Sequence, residues 1–193
     1  MTAIERVLRS ALTVLADAGV ESALVGGLAV STRLEPRFTR DIDLAVAVDS
    51  DAMAERLVAS LLSKGYRLLS QVEQEETGRL ATVRLMPPGQ GEEGIVLDLL
   101  FATTGIEGEI VHEAGTIEVF PNLSLPVADL PHLAAMKVLS EDGSRPQDRV
   151  DLLALLREMG PGDLEKARSL LGLIHQRGYA RGRDLLSNLD ELT

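Results

Sequence analysis

The sequence predicts a mixed α/β protein: a small twisted mixed sheet flanked by helices, with a helical C-terminal portion packed on it. Three observations carry this. Short apolar runs with strand alternation recur between helix-period segments over the first two thirds of the chain. Beyond residue 128 only helical patterns follow. At 193 residues the chain is long enough to bury a full core. The change of pattern divides it into a core of residues 1–128 and a helical part of residues 129–193.

Taken in order, residues 2–18 read as a helix. Thr2 and Glu5 have capping-box spacing, Ile4, Leu8, Ala11, Leu12 and Leu15 form one stripe, and Gly19 ends it. Residues 22–26 form a strand, residues 28–34 a short helix starting at Gly26-Gly27, and Pro36 stops that helix. Residues 41–48 alternate as a strand, and residues 50–64 form a helix with Leu57, Val58, Leu61 and Leu62 inward. The stretch from Tyr66 to Thr77, ending in the acidic run Glu73–Glu76, reads as a solvated loop. Residues 79–86 and 95–101 are strands joined by the hairpin loop Pro87–Gly94. A short helix near 106–114 and a strand near 116–120 lead into the helical third.

The chemistry concentrates between Val25 and Val46. Two glycines after a strand can bring bare backbone amides against a phosphate, and a helix starting there adds its dipole. On the next strand Asp41 and Asp43 share a face, while Ile42, Leu44 and Val46 point into the core. Adjacent carboxylates repel unless a cation joins them, and a hard divalent ion such as Mg²⁺ suits oxygen ligands. Each half has a plainer reading: a Gly-Gly is often only a tight turn, and an Asp-x-Asp often only a solvated strand face. Together they describe metal-assisted chemistry on a nucleotide. Asp98 is a lone carboxylate in the apolar strand IVLDLLF, where it needs a partner. That partner is either an arginine or a metal shared with Asp41 and Asp43, if the two strands lie side by side.

In the helical third, Asp129 is placed to cap the first helix, and Lys137 shares the apolar face of Leu130, Leu133 and Ala134. It either snorkels to the surface or reaches over the sheet toward a triphosphate. Ser144 and Gln147 are spaced as a capping box for the next helix, and the helix dipole alone accounts for Asp148 and Asp151 near its start. Lys166, Arg168, Arg177, Arg181 and Arg183 make the last helices locally basic, the best place for an RNA contact. His112, His132 and His175 lack metal-ligand spacing and read as surface or capping residues.

Composition excludes other classes. With no cysteine there are no disulfides, thiolate metal sites or thiol nucleophiles. No apolar run is long enough to span a membrane, and the charged first helix does not read as a signal peptide, so a cytoplasmic location is expected. A net charge of −11 argues against nonspecific coating of nucleic acid.

The pattern apolar-Gly-Gly, thirteen intervening residues, then Asp41-Ile42-Asp43-Leu44 resembles the signature of the nucleotidyltransferase superfamily related to DNA polymerase beta. Arg40-Asp-Ile-Asp, a later Lys137 and Arg-Pro-x-Asp148 before a leucine-rich helix resemble, more narrowly, the AbiEii-type toxin nucleotidyltransferases. This similarity covers roughly Val25 to Leu156 through short motifs. It implies the nucleotidyltransferase fold and transfer of a nucleoside monophosphate from an NTP to an acceptor hydroxyl with two Mg²⁺. It places Gly26, Gly27, Asp41, Asp43, Lys137 and Asp148 in the active site, with Asp98 as the superfamily's third carboxylate and general base. Arg40 becomes a neighbour that limits carboxylate repulsion and assists the nucleotide site. Gln147 stands where the family pattern has a basic residue. The resemblance allows tRNA as acceptor and an antitoxin protein as partner. A small antibiotic-like acceptor, a protein side chain, or a catalytically silent nucleotide- or partner-binding role stay open.

Overall fold

The computed structural model describes residues 1–74, 78–91, 93–141 and 146–193. In chain order the elements are α1 (Ala3–Asp17), β1 (Ser22–Val25), α2 (Gly26–Arg33), β2 (Asp41–Val46), α3 (Asp51–Ser63), β3 (Arg67–Glu73), β4 (Leu80–Met86), β5 (Val96–Leu100), α4 (Glu107–Glu113), β6 (Gly115–Phe120), β7 (Leu123–Val127), α5 (Leu130–Ser140), α6 (Pro146–Glu158), α7 (Pro161–Gln176) and α8 (Leu185–Asp190).

All seven strands join one mixed sheet in the order β3-β4-β5-β2-β1-β7-β6. β1 and β2 are antiparallel despite the helix between them, whereas β2 and β5 run parallel with Asp43 opposite Asp98. β4 and β5 are antiparallel across the expected hairpin loop, with Arg84 opposite Asp98. Glu92 in that loop lies outside the described residues. The buried strand faces are built from Leu24, Ile42, Leu44, Val46, Leu97 and Leu99, all sealed from water. α2 packs on β1 and β2 and against α5 and α6; α4 packs against β2 and β1; α3 packs on β4.

Local signals explain the helix ends. Thr2 accepts the Glu5 amide at 3.2 Å, while the Glu5 carboxylate turns to Arg9 rather than back to Thr2, so half of the capping box forms. Asp129 caps α5 as expected, accepting the His132 amide at 3.0 Å. The capping pair Ser144–Gln147 has its first member outside the described residues, as does Arg145.

Two strands and one core position differ from the sequence reading. Residues 67–73 form β3, an edge strand exposed along its whole length, so burial left no alternation to read. Of the acidic run beyond it, Glu75 and Glu76 lie outside the described residues. β7 escaped because Pro126 argues against a strand; it pairs with β6 antiparallel through Pro121-Asn122, where Asn122 adopts φ 60°. Leu62 of α3 faces solvent rather than the core.

Candidate active site

Four neighbouring strands contribute to one face: Arg84 from β4, Asp98 from β5, Asp41 and Asp43 from β2, and Gly26-Gly27 directly after β1. The glycines and the aspartates are tied together sterically. Gly26 has φ +66°, and a Cβ there would lie 2.0 Å from Asp43 Oδ2. Only glycine therefore lets the Asp43 carboxylate press against the first turn of α2. No side chain caps α2, so its first-turn amides are available to an anion. A Cβ on Gly27 would meet Arg37 Nη2 at 2.7 Å.

The three carboxylates share a face but differ in state. Burial, then the charges of Asp98 and Asp41, push the Asp43 carboxyl up to about 7, only partly offset by Lys137 and Arg84. Asp98 and Asp41 instead accept hydrogen bonds from Arg84: Nε donates to Asp98 Oδ1 at 3.0 Å and Nη2 to Asp41 Oδ1 at 3.2 Å. Burial disfavours the Arg84 guanidinium, but Asp98 and Asp41 outweigh it and raise its proton affinity. Asp98 thus has the arginine partner of the plainer reading and shares a face with the other two aspartates. Arg40 does not reach them. It is exposed and stacks over the Phe38 ring, 5.6 Å from its centroid, because strand alternation directs it away from Asp41. Arg84 holds the place expected for Arg40.

Behind the glycines lies a second ionic group. Lys137 is buried rather than snorkelling, with Nζ 2.5 Å from Asp148 Oδ1 and 2.9 Å from Asp151 Oδ2. Arg37 Nη2 donates to the same Asp151 oxygen at 2.7 Å, Gln147 to Oδ1 at 2.9 Å, and Ser140 Oγ to Asp148 at 3.2 Å. Burial raises the Asp151 carboxyl, but Lys137, Gln147 and Arg37 outweigh it and hold it below its ordinary value. Gln147, at the position of the expected basic residue, therefore orients Asp151. The pairing of Arg37 with Asp151 was not foreseen: the helix dipole alone accounted for Asp151, and nothing local ties residue 37 to residue 151. Arg84 did leave a signal, as the lone charge in the strand LATVRLM.

A tighter grouping of ligand atoms lies elsewhere. Glu113, Asp129 and His132 bring theirs within 4.8 Å of one another. Lys166 already supplies a cation there, 2.6 Å from both Glu113 and Asp129. His132 is fully buried, its Nδ1 2.6 Å from Asp129 and its Nε2 without a partner, so it is neither a surface residue nor a simple cap. Burial raises Asp129, but hydrogen bonds from His132 and Lys166 hold it well below the carboxylate range.

The other basic residues of the last helices are engaged within the chain. Arg177 pairs with Glu109 at 2.6 Å, Arg168 with Asp190, Arg183 donates to the Leu139 carbonyl at 2.8 Å, and Arg181 to the Thr103 carbonyl at 3.4 Å.

A mixed sheet carrying a glycine pair at a helix start and carboxylates on two parallel neighbouring strands defines the nucleotidyltransferase class of fold. Solved structures share it. The solution structure of the antibiotic-resistance factor ANT(2'')-Ia matches with TM-score 0.58 at 17% identity, covering 93% of this chain and 96% of that one. The crystal structure of ANT(2'')-Ia with adenylyl-2''-tobramycin gives 0.59 at 18%, covering 91% and 99%. An antigenic nucleotidyltransferase-like protein from Paracoccidioides brasiliensis gives 0.51 at 20%, covering 96% and 91%. Comparison with the curated proteins found no match. The chain belongs to the family described as nucleotidyl transferase AbiEii toxin, type IV toxin–antitoxin system, which matches residues 6–192.

Proposed function

We propose that the protein transfers a nucleoside monophosphate from an NTP to an acceptor hydroxyl, with Asp41, Asp43 and Asp98 holding two Mg²⁺ ions. The observation that carries this reading is the contact between its two halves: Gly26 is open so that Asp43 can lie against the first turn of α2. A phosphate on the glycine amides is thereby brought to the metal-binding carboxylates. The donor set fits a hard cation, since all three groups offer oxygen, and burial together with the charges of Asp98 and Asp41 leaves Asp43 short of positive charge. Held by these three aspartates, such ions would neutralise the triphosphate and lower the pKa of the acceptor hydroxyl.

The chain's own groups do the rest. The α2 amides at Gly26 and Gly27 hold phosphate oxygens, and Lys137, held by Asp148 and Asp151, partly offsets the negative charge at Asp43. Asp98 takes the proton of the hydroxyl. The new acceptor O–Pα bond forms in line as the Pα–O bond to the β-phosphate breaks, and pyrophosphate leaves.

The family description, a toxin of a type IV toxin–antitoxin system, supports an antitoxin protein as partner, and the motif resemblance of the sequence supports tRNA as the acceptor. A second reading has its own support: the chain carries a net charge of −11 and its C-terminal arginines are engaged internally, which suits a small polycationic hydroxylated acceptor. The ANT(2'')-Ia structure with adenylyl-2''-tobramycin is one protein of this fold with such an acceptor. Incubating the protein with α-labelled NTPs, Mg²⁺ and either total tRNA or aminoglycosides separates the two. Label on tRNA, with growth arrest on expression that requires Asp43, supports the toxin reading. Label on the drug, with unimpaired growth, supports the second.

Among the described residues no helix is long and apolar enough to cross a membrane. That agrees with a cytoplasmic site of action, which we propose.

A further inference from the structure

We propose that Arg84 is a built-in counter-ion of the carboxylate face, occupying on Asp41 and Asp98 the places a divalent cation takes and yielding them when the cation binds. The inference rests on the metal-dependent reading above. Three carboxylates gathered on adjacent strands cannot all stay charged at close range without a compensating cation. Arg84 supplies one through the register of the sheet: it stands directly opposite Asp98 across the β4–β5 pair. Its guanidinium fork is long enough to pass beyond Asp98 and reach Asp41 on β2, with bonds of 3.0 and 3.2 Å. One side chain thus blocks an oxygen on each of two of the three ligands.

One further observation gives Arg84 the freedom to leave. Its side chain is 42% exposed and Asp41 47%, so the pair opens toward solvent, whereas Asp98 is only 12% exposed. Withdrawal of a half-exposed guanidinium into water carries a small penalty. The other cation that acts on Asp43, Lys137, is held by Asp148 and Asp151 and cannot take the place of Arg84. The contrast with the cluster at Glu113, Asp129 and His132 is direct: there Lys166 bridges two carboxylates away from the glycine turn, whereas Arg84 sits on the strands beside it.

The test uses the full chain without NTP, as wild type, Arg84→Gln and Arg84→Lys. Mn²⁺ is the probe, its binding read from the free-ion electron paramagnetic resonance signal, and thermal midpoints are recorded in EDTA and in Mn²⁺. We expect Arg84→Gln to bind Mn²⁺ roughly three- to tenfold more tightly, the size of one half-exposed ion-pair set removed. Its metal-free midpoint falls, and Mn²⁺ raises it by more than in the wild type. Arg84→Lys, which keeps the charge but loses the fork, shifts in the same direction by less and carries the test if Arg84→Gln does not fold. Equal or weaker Mn²⁺ binding by the variants, with wild type still binding, overturns the counter-ion role and leaves the metal reading standing. Absence of Mn²⁺ binding by all three proteins overturns both.

Discussion

Asp43 is the residue on which the energetics of the face turn. Its carboxyl is pushed up to about 7, first by burial and then by Asp98 and Asp41, from an ordinary 3.8. Between those values the folded protein binds more protons than the unfolded chain, so metal-free stability falls as pH rises from about 4 to about 7. Each pH unit of that window corresponds to about 1.4 kcal/mol at most. Asp129 and Asp151 behave oppositely: their lowered values contribute stability above about pH 4, lost on acidification. Urea unfolding in EDTA from pH 4.5 to 7.5 should show the downward slope in the wild type and a flatter line in Asp43→Asn. A wild-type protein whose stability is level over that range would show that Asp43 is not strained. The sequence placed Asp41, Asp43 and Asp98 on strands, but did not show which of them has its proton affinity raised. That depends on Gly26 pressing against Asp43 and on Arg84 reaching the other two, contacts between segments far apart in the chain.

At the scale of elements, the approach of α2 to β2 and the joint between α5 and α6 shape the site. Gly26 and Gly19 share the same φ of +66°, but a Cβ on Gly19 would meet nothing within 4 Å whereas one on Gly26 would strike Asp43. Gly19→Ala should therefore cost only the backbone penalty, about 1–2 kcal/mol. Gly26→Ala should cost distinctly more, read from the shift in denaturation midpoint; equal costs would mean that the α2–β2 approach is loose. Lys137→Ala leaves part-buried Asp148 without the lysine cation and buried Asp151 with that of Arg37, and should remove up to about 3 kcal/mol of stability. Substituting Asp148 and Asp151 by Asn in the same background should recover part of that loss. If Lys137→Ala melts like the wild type, the lysine is not the keystone of the joint. Element types were legible wherever one face is buried: α1, α3, β2 and β5 follow their apolar periods. β3 and β7 were not, since β3 is exposed on both faces and β7 contains Pro126.

For the whole molecule, the C-terminal part is fastened to α4, α5 and the loop before α4 by basic residues that the sequence offered as an RNA surface. Arg177 reaches Glu109 and the Gly105 carbonyl at the start of α4, and Arg183 reaches α5. Arg177→Gln should accordingly lower stability by up to about 1 kcal/mol, with the loss shrinking at high salt, as for a partly exposed pair. A stability loss absent at every salt concentration would return Arg177 to the candidate RNA contacts. The fold class was legible from alternating strand segments followed by an all-helical third, and the family from the glycine pair and paired aspartates at their spacing. The acceptor was not, because a residue's charge does not reveal whether that charge is already answered within the chain. The central claim is that the face of Asp41, Asp43 and Asp98 carries nucleotidyl transfer. It is tested most directly by comparing the wild type with Asp41→Asn/Asp43→Asn for transfer of α-phosphate label from NTP in Mg²⁺. The account predicts labelled acceptor and released pyrophosphate with the wild type, and neither with a folded double variant. Equal transfer by the two proteins would contradict it.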